Sequence, residues 1–378
     1  TRNLEAYAAA GMGTMEITPI YGVQGNDAKD IPFLSPRWMQ MLQYTESEAS
    51  RLGMQIDMNT GTGWPFGGPE VGIEDVACKL FVTEYRLEGG NTLDKRIEVA
   101  DKKQKPYAKL ERLMAFSDMG KCLDLTDKVK DGMLCWKAPK GSWRLIAAFC
   151  GKTLQKVKRA APGGEGYVMN HSRPCRENYL GRFERAFDGK FKDTAGGATA
   201  YPHNFFNDSY EVYGADWSEG LFDEFLARRG YKLEEHLPEF LAAGERSDKT
   251  RRIISDYRET LGELLQENFT RQWTEWAHRH GAKTRNQAHG SPGNLIDLYA
   301  TVDIPECEGF GLSDFGIRGL RKDSLTRPND SDLSMLKYAS SAAHIAGKPY
   351  TTSETFTWLT EHFRTSLSQC KPDMDLMF

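Results

Sequence analysis

The sequence predicts an α/β protein of the (β/α)8 barrel type, incomplete in this chain, with an all-β insertion. Three observations carry this. Short apolar strands alternate with amphipathic helices near the start of the chain, the rhythm stops for about 80 residues, and it then resumes to the end. Parallel strands joined by crossover helices give that alternation. Several strands also run into acidic residues at loop junctions, where such barrels carry their chemistry.

The first helix occupies residues 1–12 and ends at Gly11 and Gly13. A strand follows from Thr14 to Ile20. Pro36 starts a second helix, with Trp38, Met41, Leu42, Ala49 and Leu52 at helical spacing and Gly53 closing it. Met54–Asn59 is the next strand, and a Gly-rich loop runs from Thr60 to Pro69. These pieces form the first part of the barrel, residues 1–76. From Ala77 the pattern changes. Lys79–Leu87, Lys109–Phe116 and Ser142–Cys150 read as strands with polar turns between them, which defines a β insertion over 77–160. Barrels accept such insertions in their loops.

Ala161–Gly166 (APGGEG) leads back into the second part, 161–378. Its Gly pair is not followed by Lys-Ser/Thr, so a phosphate loop is a weak reading. Helices are expected over 176–187, 217–229, 248–280 and 335–346. Strands are expected at 208–211, 282–290, 302–308 and 349–354. The six barrel-type strands are two short of a closed barrel.

Composition narrows the function classes. The formal net charge is -4 with both signs mixed, which gives no electrostatic case for nucleic acid. No run of about 18 apolar residues is present to span a membrane. The seven cysteines are odd in number and include no Cys-x-x-Cys, so zinc and a dense disulfide framework are disfavoured and most are expected as buried thiols.

The stretch Asn207–Trp217 passes two acids and breaks at Gly214, and Tyr350–Trp358 repeats the arrangement around Glu354. Two glutamates with aromatic neighbours, Glu211 and Glu354, suggest an acid/base pair acting on a sugar. The plain alternative for each is an ion-paired strand-end carboxylate.

The strings EITPIYGV (16–23), DMNTGTGWPFGGP (57–69), APGGEG (161–166), EVYGADW (211–217), RNQAHGSPGN (285–294), DIPECE (303–308), KYASSAAHIAGKP (337–349), SETFTW (353–358) and LSQCKP (367–372) make the chain strongly resemble the α-L-rhamnosidases of glycoside hydrolase family 106. They span nearly the whole chain. The resemblance implies an eight-stranded barrel with accessory β domains, inverting hydrolysis, a bound calcium, and exported bacterial enzymes acting on plant polysaccharides or glycosides. By that comparison the chain begins after the first barrel strand and stops before the eighth, so its strands are the second to the seventh. Glu211 then ends the fourth and Glu354 the seventh.

Inversion needs one acid and one base. Glu211 is assigned as acid and Glu354 as base, with the swapped order left open. Glu306 is the third acid, as a metal ligand or sugar contact, and Glu308 lies close enough to be confused with it. Asp208, Glu306 and Asn286 are the expected calcium donors. Asp57 and Asn59 are expected to bind hydroxyls or to form an Asx turn, and His289 to donate to substrate. Trp64, Phe66, Tyr213 and Trp358 flank the strand ends, and each is expected either to offer a ring face to a deoxysugar or to be simple core. The expected partner is a rhamnoside, the alternatives being a glycosidase of the same scaffold with another sugar preference or a non-catalytic carbohydrate-binding relic, and the oligomeric state is open.

Overall fold

The computed structural model describes residues 1–22, 25–172, 179–190, 197–310, 318–319, 333–357 and 366–378. Its centre is a sheet of six strands: β1 (Thr14–Ile17), β2 (Gln55–Asn59), β3 (Asn204–Asn207), β4 (Lys283–Gln287), β5 (Ile304–Phe310) and β6 (Thr352–Thr357). They lie side by side in chain order, and every neighbouring pair is parallel. The sheet curls into half a barrel.

The helices that cross between strands cover one face of this sheet. Pro36–Arg51 forms for reasons visible in its sequence: Ser35 caps the Trp38 amide, and Pro36 sits in the first turn, where its missing N–H costs nothing. It buries Met39, Leu42 and Ala49. Ile56 and Met58 of β2, Phe205 of β3 and Cys307 of β5 join the same core with Phe269, Trp273 and Trp276. The segment expected as one helix over 248–280 is Asp248–Leu265, a π-helical turn at Gln266–Thr270, and Arg271–Arg279.

Side chains alternate across a strand, so the residues between these core positions face the other way. The register aligns Glu16 with Asp57, Asp57 with Asn204, Phe206 with Arg285, Gln287 with Glu306, and Glu308 with Glu354. The face away from the helices is therefore polar and heavily acidic.

Between Cys78 and Lys152 the chain builds an antiparallel four-stranded sheet and a two-stranded one. Cys78–Glu88, Lys109–Ser117 and Ser142–Lys152 match the three expected strands, while Thr92–Arg96, Cys122–Asp124 and Met133–Lys137 went unforeseen. One face of the larger sheet (Cys78, Met114, Ile146, Ala148, Cys150) packs on Trp217, Leu221, Phe222, Phe225 and Ile253.

Several expectations are corrected. β3 stops at Asn207 instead of running over 208–211, because the Ser209 amide turns to the Asp208 side chain at 2.7 Å and leaves the ladder. Glu211 is thus on the following loop. β6 starts at Thr352, since the Lys348 amide still bonds Ala343 O at 2.8 Å and closes the preceding helix, Leu333–Ile345. Glu354 is consequently inside its strand and not at its end. Residues 217–220 are loop, and the helix there is Leu221–Arg229 behind Gly220, whose φ of 78° lies in the left-handed region. Among the described cysteines, Cys78, Cys150 and Cys307 are buried, but Cys122 and Cys135 are exposed on the outer positions of edge strands. No described helix is long and apolar enough to cross a membrane.

Candidate active site

The expected site residues fall into two groups. The first is on the loop after β3. The Lys158 ammonium is paired with Glu211 and also bonds the Tyr213 hydroxyl at 2.9 Å. That hydroxyl donates to Glu211 Oε2 at 2.8 Å, and Ser209 Oγ donates to Oε1 at 3.2 Å. Lys158 Nζ lies 4.6 Å from the Tyr213 ring centroid and 5.9 Å from that of Trp64, within cation–π range. Burial alone would raise the Glu211 pKa, but the hydrogen bonds and charge of Lys158 with those of Tyr213 outweigh it. The carboxyl is held below its ordinary value.

Gln155 fixes the loop's backbone. Its Nε2 donates to Glu211 O at 2.8 Å, and its Oε1 accepts from the Tyr213 amide at 2.7 Å. Trp64 and Tyr213 therefore flank Glu211, as ring faces beside a sugar site would. Phe66 does not: it is buried against Tyr179 and Phe269.

The second group lies on β4, β5 and β6. Arg285 Nη1 donates to Glu306 Oε2 at 2.8 Å, and its other arm pairs with Glu16. The guanidinium lies over the Phe206 ring at 4.3 Å. Thr352 Oγ1 donates to Glu306 Oε2 at 2.7 Å. Gln287 Nε2 reaches Glu306 Oε1 at 3.0 Å and Glu354 Oε2 at 2.8 Å, and Thr357 Oγ1 donates to Glu354 Oε1 at 2.8 Å. His289 Nε2 pairs with Glu308 at 2.8 Å. Burial raises the Glu308 pKa, and Glu354 adds to it against the pull of His289. Burial, with repulsion from Glu354, Glu308 and Glu306, pushes Asp208 up to about 7.

Glu354, Glu306, Asp208 and Glu308 therefore share one electrostatic neighbourhood, whereas the Glu211 carboxyl is held by Lys158, Tyr213 and Ser209. Asp57 accepts from Asn204 Nδ2 at 3.0 Å on both oxygens and sits 3.4 Å from His203, so it is anchored within the sheet. Asn59 is buried, and its Nδ2 has no hydrogen-bond partner among the described residues. Asn286 accepts from Asn207 at 2.6 Å and, by alternation, faces away from Arg285 and Gln287. His171 is a core residue packed on Phe269 and Tyr210, and burial drives its pKa down to about 3. Trp358 lies outside the described residues.

Calcium fits the three expected donors poorly. Both oxygens of Glu306 already accept hydrogen bonds, one of them from a guanidinium, and the Asn286 carbonyl is taken by Asn207. Among the described residues, no three His, Cys, Asp or Glu side chains are grouped to hold one ion.

Lys158, Gln155, Arg285 and Gln287 were missed by sequence reasoning. Each reaches its partner across a long stretch of chain, and the only available signal was the presence of Arg285 and Gln287 within RNQAHGSPGN.

The fold is shared with a rhamnosidase from Novosphingobium sp. PP1Y, which superposes with a TM-score of 0.76 at 17% identity over 99% of this chain and 52% of the other. A curated relative, a putative β-glucuronidase of Formosa agariphila, is 26% identical over 94% of this chain and 32% of its own length. The chain thus spans about half of the one protein and a third of the other. The profile of glycoside hydrolase family 106, α-L-rhamnosidase, matches residues 1–113 and 108–378. With near end-to-end coverage, the chain belongs to the family 106 α-L-rhamnosidases.

Proposed function

We propose that the protein releases terminal α-L-rhamnose from plant polysaccharides or glycosides outside the cytoplasm, with Glu211 and Glu354 as the carboxylate pair of an inverting reaction on an incomplete barrel. The observation that carries this reading is the contrast between their surroundings. Glu211 is tied to a cation and a phenol, while Glu354 sits beside other acids. Enzymes run acid and base chemistry at one pH by giving two carboxyls different environments.

Lys158 keeps Glu211 ionised before substrate arrives, which suits the base that activates water. As an acid, Glu211 would first have to lose Lys158 and gain a proton. The acid role therefore goes to Glu354, the reverse of the order expected from strand position. Gln287 donates to Oε2 of Glu354, so Oε1, beside Thr357, is the oxygen that would deliver a proton to the leaving group. The Trp64 and Tyr213 rings offer apolar faces to the sugar. Calcium is implied by the family resemblance alone; Glu306 and Asn286, of the donors named for it, are already engaged, and no step runs through it.

The test uses the full-length protein with an aryl rhamnoside bearing a good leaving group and an alkyl rhamnoside bearing a poor one. Glu354→Gln should lose far more activity on the alkyl substrate, because only that leaving group needs a proton. Glu211→Gln should fail on both. The opposite pattern restores the first order of roles, and two fully active variants would end the reading. NMR of the first-formed rhamnose anomer decides inversion.

A further inference from the structure

Gln287 is the one residue that touches both Glu306 and Glu354 among the hydrogen bonds of the described residues. It is 1% exposed, on β4 beside β5, in the register Gln287–Glu306–Thr352, and its side chain reaches the acids of both β5 and β6. Its Nε2 has two hydrogens, and each is directed to one carboxylate, so the amide cannot rotate without losing both bonds. Its Oε1 is buried and has no hydrogen-bond partner among the described residues. Swapping the amide's O and N would place an acceptor against two carboxylate oxygens, which fixes the assignment chemically.

The other end of the chain of contacts is equally fixed. Glu306 Oε2 accepts from Arg285 and Thr352, which leaves Oε1 aimed at Gln287. Arg285 is itself held by Glu16 of the edge strand β1 and by the Phe206 ring. The ion-paired Glu306 is thereby engaged on both oxygens by protein donors.

From these contacts we infer that Gln287 is a positioning residue: anchored by Glu306 and Arg285, it holds the Glu354 carboxyl in its working orientation, and Glu306 serves this support instead of acting on substrate or metal. The inference rests on the reading of Glu354 as a reacting carboxyl. It assigns β1 a part in the site, because Glu16 begins the series Glu16–Arg285–Glu306–Gln287–Glu354.

The experiment is a double-mutant cycle in the full-length protein, with kcat and KM measured on the alkyl rhamnoside, whose leaving group needs the proton of Glu354, and folding checked by thermal unfolding. Gln287→Met keeps the length and removes the donor. A lost supporting contact typically costs about 10- to 100-fold, and here the loss should fall on kcat with KM little changed. In a Glu354→Gln background the same Gln287→Met change should cost nothing further, because its effect passes through Glu354. Equal losses in both backgrounds, or an unchanged kcat in Gln287→Met, would overturn the inference. Should Gln287→Met unfold the protein, Glu306→Gln serves as the second variant. It leaves the amide site occupied but weakens the anchor, and the same non-additivity with Glu354→Gln is expected. Full activity of Glu354→Gln alone would instead refute the assignment of Glu354, a separate outcome.

Discussion

The Lys158 ammonium is bound to the Glu211 carboxylate, and the Tyr213 hydroxyl bonds both partners. A cation this close favours the charged form of an acid that burial would otherwise neutralise. Glu211 titrates below the ordinary glutamate value because the cation wins.

Lys158→Met should therefore let burial dominate. If Glu211 must be ionised to act, the acidic limb of the kcat/KM profile should move up by about one pH unit or more. Activity at pH 5 should then fall more than activity at pH 7. An unmoved limb would show that the ionised group of the reaction is not Glu211.

A second prediction concerns Glu46. It continues the buried stripe of Met39, Leu42 and Ala49 on Pro36–Arg51, and both its oxygens are buried without hydrogen-bond partners among the described residues. Burial raises its pKa to about 7. The sign follows from linkage: the carboxyl is neutral in both folded and unfolded chains well below pH 4.5, and above 7 the folded chain carries the cost of a buried charge. Stability from this group therefore declines as pH rises from about 4.5 to 7. Glu46→Gln should raise the melting temperature by a few degrees at pH 8, roughly 1–3 kcal/mol, and by little at pH 4.5. A gain of the same size at both pH values would contradict this account.

A third prediction concerns calcium. With Glu306 and Asn286 already engaged, adding calcium to this chain should move its melting temperature by less than about 2 °C, and chelation should not lower it. A shift of several degrees, reversed by chelator, would mean that ligands come from residues other than the three considered.

The fourth lies at the foot of the Glu211 loop. Glu111, on Lys109–Ser117, accepts from Trp217 Nε1 and from the Gly220 amide, each at 2.8 Å. Glu111→Ala removes an ionisable acceptor from two buried donors and should destabilise the protein by about 2–4 kcal/mol. A change within about 0.5 kcal/mol, measured by denaturant unfolding, would show that water replaces the carboxylate.

The six-stranded parallel sheet was legible because each strand is a short run with one apolar face, and helices with clear caps such as Ser35-Pro36 separate the runs. Strand ends were less legible. Asn204 and Asn207 look like loop residues, yet they pair within the sheet: Asn204 with Asp57 on the polar face and Asn207 with Asn286 on the opposite one. The acids at loop junctions were legible as residues, and Glu354, Glu306 and Asp208 gather in one part of the fold. Their partners were not legible. Lys158 lies in a stretch with no helical or strand periodicity, and a lysine there looks like any solvated charge. Arg285 faces the acidic side only because β4 has Glu16 and Glu306 within reach, which is a property of the folded sheet.

The antiparallel sheet between Cys78 and Lys152 has a mechanical meaning for the loop that carries Glu211. Leu80 N is tied to Asp216 at 2.8 Å, Cys78 bridges to Trp217, and Glu111 grips the next turn. Gln155, just beyond the sheet's last strand, clasps the backbone on either side of Glu211. Glu211 is thus suspended from outside the parallel sheet, while Glu354 grows out of it. Any slight rocking of one sheet against the other would change the gap between the two carboxyls, so substitutions far out on this strut would tune turnover without touching a sugar.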